Sequence, residues 1–136
     1  MSEEFKLEIV TPERVIFSDN ATSVLATSIV GRLEVLYDHR PLIAKLDMAP
    51  LCFKQKEQTN HLAVSGAGYL EVSPERVVIL CDRAELAEEI DKKRAEEAKK
   101  RAEERLNRAD DKIDEARANA ALNRAMARLK TVEDTS

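Results

Sequence analysis

The residues in this chain best suited to chemistry are arginines. Arg94 and Arg101 stand seven apart within "EIDKKRAEEAKKRAEERL" (residues 89–106), and Arg124 and Arg128 stand four apart further on. On a helix both spacings return a side chain to approximately the same face. If the two segments close on each other around residues 107–111, Arg94 comes opposite residues 124–128 and Arg101 opposite residues 117–120. Three or four guanidinium groups then converge, which like-charge repulsion disfavours unless an anion neutralises them. Guanidinium grips phosphate oxygens in a two-pronged fork. Asp91, one turn before Arg94, can orient one arginine or accept a hydrogen bond from a base or ribose. The competing reading is a solvated ionic face, with Glu88 and Asp91 paired to Lys92 and Arg94.

Little else in the chain suits catalysis. His39 in "YDHRPL" falls on a turn and suits a surface contact, whereas His61 in "TNHLAV" holds a strand-like, structural position. Cys52 and Cys81 each sit in an apolar strand-like run and read as buried free thiols of a reducing, cytosolic setting; a disulfide between them stays open. No Cys–His cluster has metal spacing, no G-x-S-x-G occurs, and no glycine-rich loop could cradle phosphate. "SGAG" (residues 65–68) lacks a following helix and reads as a turn or bulge. The expectation is a protein that is not an enzyme, with no metal site and no catalytic cofactor.

The elements that must hold these arginines divide the chain in two. All glycines, prolines and aromatic residues lie before residue 83, and beyond it Ala, Glu, Lys, Arg and Leu run without a helix breaker through Lys130. The boundary is drawn near residues 82–84, giving a first domain at residues 1–83 and a second at residues 84–136. In the first, "KLEIVT", "RVIFS", "TSVLAT", "RLEVL", "LIAKL", "LCFKQ", "HLAVS", "YLEV" and "RVVILC" read as short strands separated by turn residues. Such spacing suggests a compact antiparallel sandwich or barrel.

The second part reads as two antiparallel helices. Ala95, Ala98, Ala102, Leu106 and Ala109 follow helical three-four spacing, as do Ile113, Ala116, Ala120, Leu122, Met126 and Leu129. Asn107, Asp110 and Asp111 between them favour a turn, Asp111 can cap the second helix, and Asp114 and Glu115 suit its first turn. A seam of alanines has high helix propensity but little area to bury, at about 0.8 kcal/mol per methylene. That fits an arm that can undock and keep its helices, although a permanently docked hairpin fits the same residues.

Charge and size exclude other classes. The 136 residues are 43% hydrophobic, enough for a core, and the net charge of −4 argues against a nucleic-acid binder. Residues 1–82 carry 8 basic and 12 acidic side chains, whereas residues 83–130 carry 14 and 12, so the helical part is the more basic one. No apolar run approaches the ~18 residues of a membrane span, and the N-terminal "MSEEFKLEIV" does not look like a signal peptide.

With those residues laid out, the chain resembles the epsilon subunit of bacterial F-type ATP synthases. The resemblance rests on "LEIVTPERVIFS", "DHRPLIAKL", "AVSGAGYLEVSPERVVILCDRAE" and "IDKKRAEEAKKRAEERL". It implies a ten-stranded N-terminal β-sandwich and a C-terminal helical hairpin. It implies a rotor subunit of the central stalk, bound to the gamma subunit and the c-ring, which transmits proton-driven rotation. The subunit is then peripheral, on the cytoplasmic face of the cell membrane, and touches that membrane only through the complex. It also implies that the hairpin, when extended toward the alpha and beta subunits, inhibits ATP hydrolysis. ATP, with or without Mg2+, would stabilise the folded-down hairpin as a regulatory ligand. The family's I/L-D-x-x-R-A motif is met by Ile90, Asp91, Arg94 and Ala95, and further contacts to ATP fall on Glu85, Arg101, Arg124 and Arg128. The family's c-ring-facing loop "GELGVLPGH" stands here as "GRLEVLYDH" (residues 31–39), keeping His39 but carrying Arg32 in place of an acid and Tyr37–Asp38 in place of Pro-Gly. "SGAGYLEV" is also one residue longer than the usual "SGGFLEV". The alternative function is a nucleotide-insensitive structural adaptor of the stalk.

Overall fold

The computed structural model describes residues 3–108 and 114–135. Ten strands come first: β1 Phe5–Val10, β2 Val15–Ala21, β3 Ser23–Ser28, β4 Gly31–Leu36, β5 Leu42–Leu46, β6 Ala49–Gln55, β7 Gln58–Val64, β8 Gly68–Val72, β9 Arg76–Cys81 and β10 Ala84–Leu86. They pair in the order β10-β7-β6-β3-β5-β8-β9-β1-β2, with β4 added to β3. The pairings are antiparallel except β1 with β9, which run parallel. The sheet folds over on itself. Phe17 of β2 meets Phe53 of β6 with ring centroids 4.5 Å apart, although those strands lie far apart in the pairing order.

Period-two alternation selects what goes inside. Leu7 and Ile9 of β1, Leu70 and Val72 of β8, and Val77 and Ile79 of β9 are buried in one core with Leu51, Phe53 and Leu62. Their outward neighbours, such as Glu71 and Leu80, face solvent. The sandwich expected from the strand pattern is therefore the fold.

The last strand is too short to carry such a pattern. β10 is three residues long and pairs with β7 in the register Ala84↔Val64, Glu85↔Ala63, Leu86↔Leu62. The sheet thus runs past the composition break to Leu86, and a short 3₁₀ turn at Ala87–Glu89 joins it to the helices.

Two helices follow, α1 Lys92–Asn107 and α2 Glu115–Thr135. Asp91 caps α1: its Oδ1 accepts from the Arg94 backbone N–H at 3.1 Å. Asp114 does the same for α2, accepting from Arg117 N–H at 3.2 Å. Ala109, Asp110, Asp111 and Ile113, with the capping expected of Asp111, lie outside the described residues.

On α1 the expected stripe is the inner one, with Ala95 and Ala102 buried and Ala98 and Leu106 half-buried. On α2 it is not. Ala116 and Met126 are exposed, and Ala120, Leu122 and Leu129 only half-buried, whereas Ala118, Ala125, Ala127 and Thr131 are buried. The reason is that α2 lies against α1 on one side and against β6 and β7 on another. It needs small residues on two faces, and a single-stripe reading finds only one. Thr131 makes this close contact tolerable for a hydroxyl, donating within the helix to the Ala127 carbonyl at 2.8 Å.

Both cysteines are free, as expected, but only Cys81 is buried; Cys52 is half-buried. Burial pushes the Cys81 thiol up to about 11 and that of Cys52 upward as well, so neither is poised as a thiolate.

Candidate functional site

The start of α1, the end of β10 and the middle of α2 enclose a cavity of about 280 Å³. The Asp91 cap fixes where α1 begins, and helical spacing then puts Arg94, Ala95, Ala98 and Arg101 along its wall. β10 supplies Glu85, the 3₁₀ turn supplies Glu89 and α2 supplies Arg128. The alanines leave room between charged side chains.

Each carboxylate of this cavity already has a donor. Glu85 Oε1 accepts from Arg128 Nε at 2.8 Å, and both side chains are partly shielded from solvent. Glu89 Oε1 accepts from Arg14 Nη2 at 2.7 Å and from the Leu86 backbone N–H at 2.9 Å. The Arg14 hydrogen bond, followed by that of Leu86, holds the Glu89 carboxyl below its ordinary value. Asp91 accepts from the Arg94 N–H. The guanidinium groups of Arg94 and Arg101, by contrast, have no hydrogen bond or ion pair among the described residues. The acids have protein donors, and the two cations are exposed to solvent with no protein partner among the described residues. What the cavity can still accept is an anion with several oxygens.

Of the eight residues expected at a nucleotide site, Glu85, Asp91, Arg94, Ala95, Arg101 and Arg128 line this cavity, and Ile90 and Arg124 do not. Ile90 closes the 3₁₀ turn by donating its N–H to the Ala87 carbonyl. Arg124 is turned away: its Nε donates to the Ser65 carbonyl at 3.0 Å. Burial, then the neighbouring Arg83 and Arg128, lower its pKa. The ionic face weighed as a competing reading does not form as drawn, because neither Glu88 nor Asp91 is paired with Lys92 or Arg94 among the described residues.

Two contributors escaped the sequence reading. Glu89 had a weak signal, a glutamate three residues after the residue whose N–H it accepts, as in a capping box. Its partner Arg14 lies 75 positions away and had none. Residues 65–67 of "SGAG" are the connection between β7 and β8, and Gly68 opens β8. The connection passes so close to Asp82 and Arg83 that a Cβ on Gly66 would come 3.0 Å from the Arg83 nitrogen. That crossing presents the Ser65 carbonyl to Arg124.

Arg32 and His39 are not brought together. Arg32, on β4, lines a second cavity with Cys52, His61 and Asp134, and His39 lines a polar cleft with Tyr37, Asp38 and Arg76. His39 Nδ1 lies 2.8 Å from the Arg40 carbonyl. Asp38 takes φ 63°, so it occupies the left-handed conformation that a glycine adopts at no steric cost. Among the described residues no group of three or more His, Cys, Asp or Glu side chains could hold a metal ion. No described helix is long and apolar enough to cross a membrane.

Comparison with known proteins agrees with this architecture. Residues 4–87 match the family described as "ATP synthase, Delta/Epsilon chain, beta-sandwich domain", and residues 88–133 match its "long alpha-helix domain". The ATP synthase epsilon chain of Natranaerobius thermophilus is 54% identical over 127 residues, covering 93% of this chain and 90% of that one. The epsilon chain of Moorella thermoacetica is 46% identical, covering 91% and 92%. Among solved structures, a chain of the Euglena gracilis mitochondrial ATP synthase superposes with a TM-score of 0.83 at 18% identity, over 94% of this chain and 80% of that chain, which speaks to fold alone. Two family models spanning sandwich and hairpin, with relatives about half identical over nine-tenths of the length, show that the chain belongs to the ATP synthase epsilon-chain family.

Proposed function

We propose that this chain is a non-catalytic rotor subunit of the central stalk whose hairpin is a nucleotide-sensitive switch. The β-sandwich binds the gamma subunit and the c-ring, with the turn that carries His39 at the ring, and passes proton-driven rotation on. The hairpin docked on the sandwich permits ATP hydrolysis, and extended toward the alpha and beta subunits it inhibits. ATP bound at the root of the hairpin favours the docked form, and it does so only through its tighter binding to that form.

The observation that carries this reading is the pair of unpartnered guanidinium groups, Arg94 and Arg101, on a cavity whose acids are all satisfied. They supply phosphate-gripping forks, Arg128 becomes available when a phosphate replaces Glu85, and the alanines make space. A charge-assisted hydrogen bond is worth about 1.5–3 kcal/mol. Arg94→Ala or Arg101→Ala should therefore weaken ATP binding by about ten- to a hundredfold in calorimetric titration. Asp91→Asn keeps a good cap and so separates capping from ligand contact. Unchanged affinity in both arginine variants refutes the nucleotide site.

One observation favours a nucleotide-insensitive adaptor instead. Arg128 to Glu85 and Arg124 to Ser65 already tie α2 to the sheet through protein contacts. Thermal unfolding of the isolated chain with ATP separates the two. A switch gains about 2.7 kcal/mol at one hundred times the dissociation constant, and an adaptor gains nothing.

A further inference from the structure

Past Arg128 the helix runs on for six residues to Asp134, about 9 Å along its axis. There its end lies over a separate cavity of about 310 Å³. The sheet side of this cavity carries Arg32 from β4, with Cys52 and His61 directly opposite each other on β6 and β7. The helix side carries Asp134. Asp134 accepts from Lys130 one turn back at 3.2 Å, and Arg32 has no ion pair among the described residues. Arg32 acts to lower the pKa of Lys130, and Arg32 and Asp134 act in opposite senses on the Cys52 thiol between them. A guanidinium from the sheet and a carboxylate from the helix therefore line one cavity, together with the Cys52 thiol and the His61 imidazole.

We propose that Arg32 and Asp134 form a charge latch that holds the C-terminal end of the hairpin on the sandwich. The latch is independent of the arginine cavity at the hairpin's root, so it acts in the nucleotide-free protein. Lys130 keeps the Asp134 carboxylate aligned along α2, and the sheet cation draws it down.

Hydrogen exchange of the full chain without nucleotide tests this, read at the amides of residues 126–133 with β8 and β9 as internal control. Arg32→Glu and Asp134→Lys should each raise exchange in that segment about two- to fivefold at low salt, the range of an exposed charge pair. Both should leave β8 and β9 unchanged. The double variant Arg32→Glu/Asp134→Lys should return exchange toward the parent value, and high salt should reproduce the single-variant rates in the parent. Lys130→Gln removes the intrahelical pair together with the repulsion between Lys130 and Arg32. If it matches Asp134→Lys, helix-internal pairing explains the effect and the latch is refuted. Single variants without effect, or a double variant that adds rather than restores, refute it equally.

Discussion

The sandwich and the hairpin bury different things. The sandwich core holds Phe53, Leu7, Ile9, Leu51, Leu62, Leu70 and Ile79 with almost no exposure, and among the described residues the buried positions of the hairpin are five alanines and one threonine. Buried area is the main stabilising quantity, so the first region is held by large side chains and the second by close approach and a few polar ties. Those ties, Arg128 to Glu85 and Arg124 to Ser65, run from α2 to the sheet. One region is built to stay folded. The other is docked through small side chains and a few hydrogen bonds.

The sharpest way to break this contrast is to remove a large core side chain. Phe53 is buried and packs on Phe17 across the two halves of the sheet. Phe53→Ala should cost about 3–5 kcal/mol, the range for deleting a core phenylalanine. Chemical denaturation should show the sandwich and the docking of the hairpin lost together, because the docking surface on β6 goes with the core. A sandwich destabilised by less than 1 kcal/mol would mean that the core is not where the stability lies.

The converse test belongs to the hairpin. Ala125 is fully buried on α2, at the point of close approach. Ala125→Leu adds three carbons where there is no room, and overpacking of this kind costs about 1–3 kcal/mol. Leucine is nearly as good a helix former as alanine, so the helices should survive while docking is lost. Far-ultraviolet circular dichroism should be unchanged and hydrogen exchange should quicken across α2 while the sandwich stays protected. A fall in sandwich stability equal to that of Phe53→Ala would erase the distinction between the regions.

How far each region could be read from its sequence follows from the same contrast. Strands with a hydrophobic alternation, such as β1 with Leu7 and Ile9 or β9 with Val77 and Ile79, announce both their presence and their inner face. β10 does not, because "AEL" is too short to alternate and is a strand only because β7 offers it an edge. On α1, alanines among charged residues mark the buried stripe. On α2, alanines occur on every side, so the contrast that reveals a face is lost, and packing against both α1 and the sheet decides which are buried. The candidate site divides in the same way. Spacing found Arg94 and Arg101 and antiparallel register found Arg128, but the turn of Arg124 toward Ser65 depends on a backbone carbonyl that no side-chain pattern encodes.

The joint between the regions offers the smallest and most local test. Arg14, on the connection between β1 and β2, donates to Glu89 on the 3₁₀ turn, so the turn is tied to the sandwich rather than to the helix it precedes. That hydrogen bond, with the Leu86 N–H behind it, lowers the pKa of Glu89 in the folded protein. A carboxyl with a depressed folded pKa contributes stability above its unfolded value, about 4.3 for glutamate. The contribution is lost as pH falls through the folded value. The clasp is therefore closed at neutral pH and opens only in acid. In an NMR titration the Glu89 carboxyl should titrate below the ordinary glutamate range, and in Arg14→Ala its midpoint should move up toward that range. The Leu86 N–H still bonds the carboxylate in the variant, so the return should be partial. Equal midpoints in the two proteins would mean that Arg14 does not hold the turn. The 3₁₀ segment would then have to be counted with the hairpin, and the border between the two regions would move back from Glu89 to Leu86.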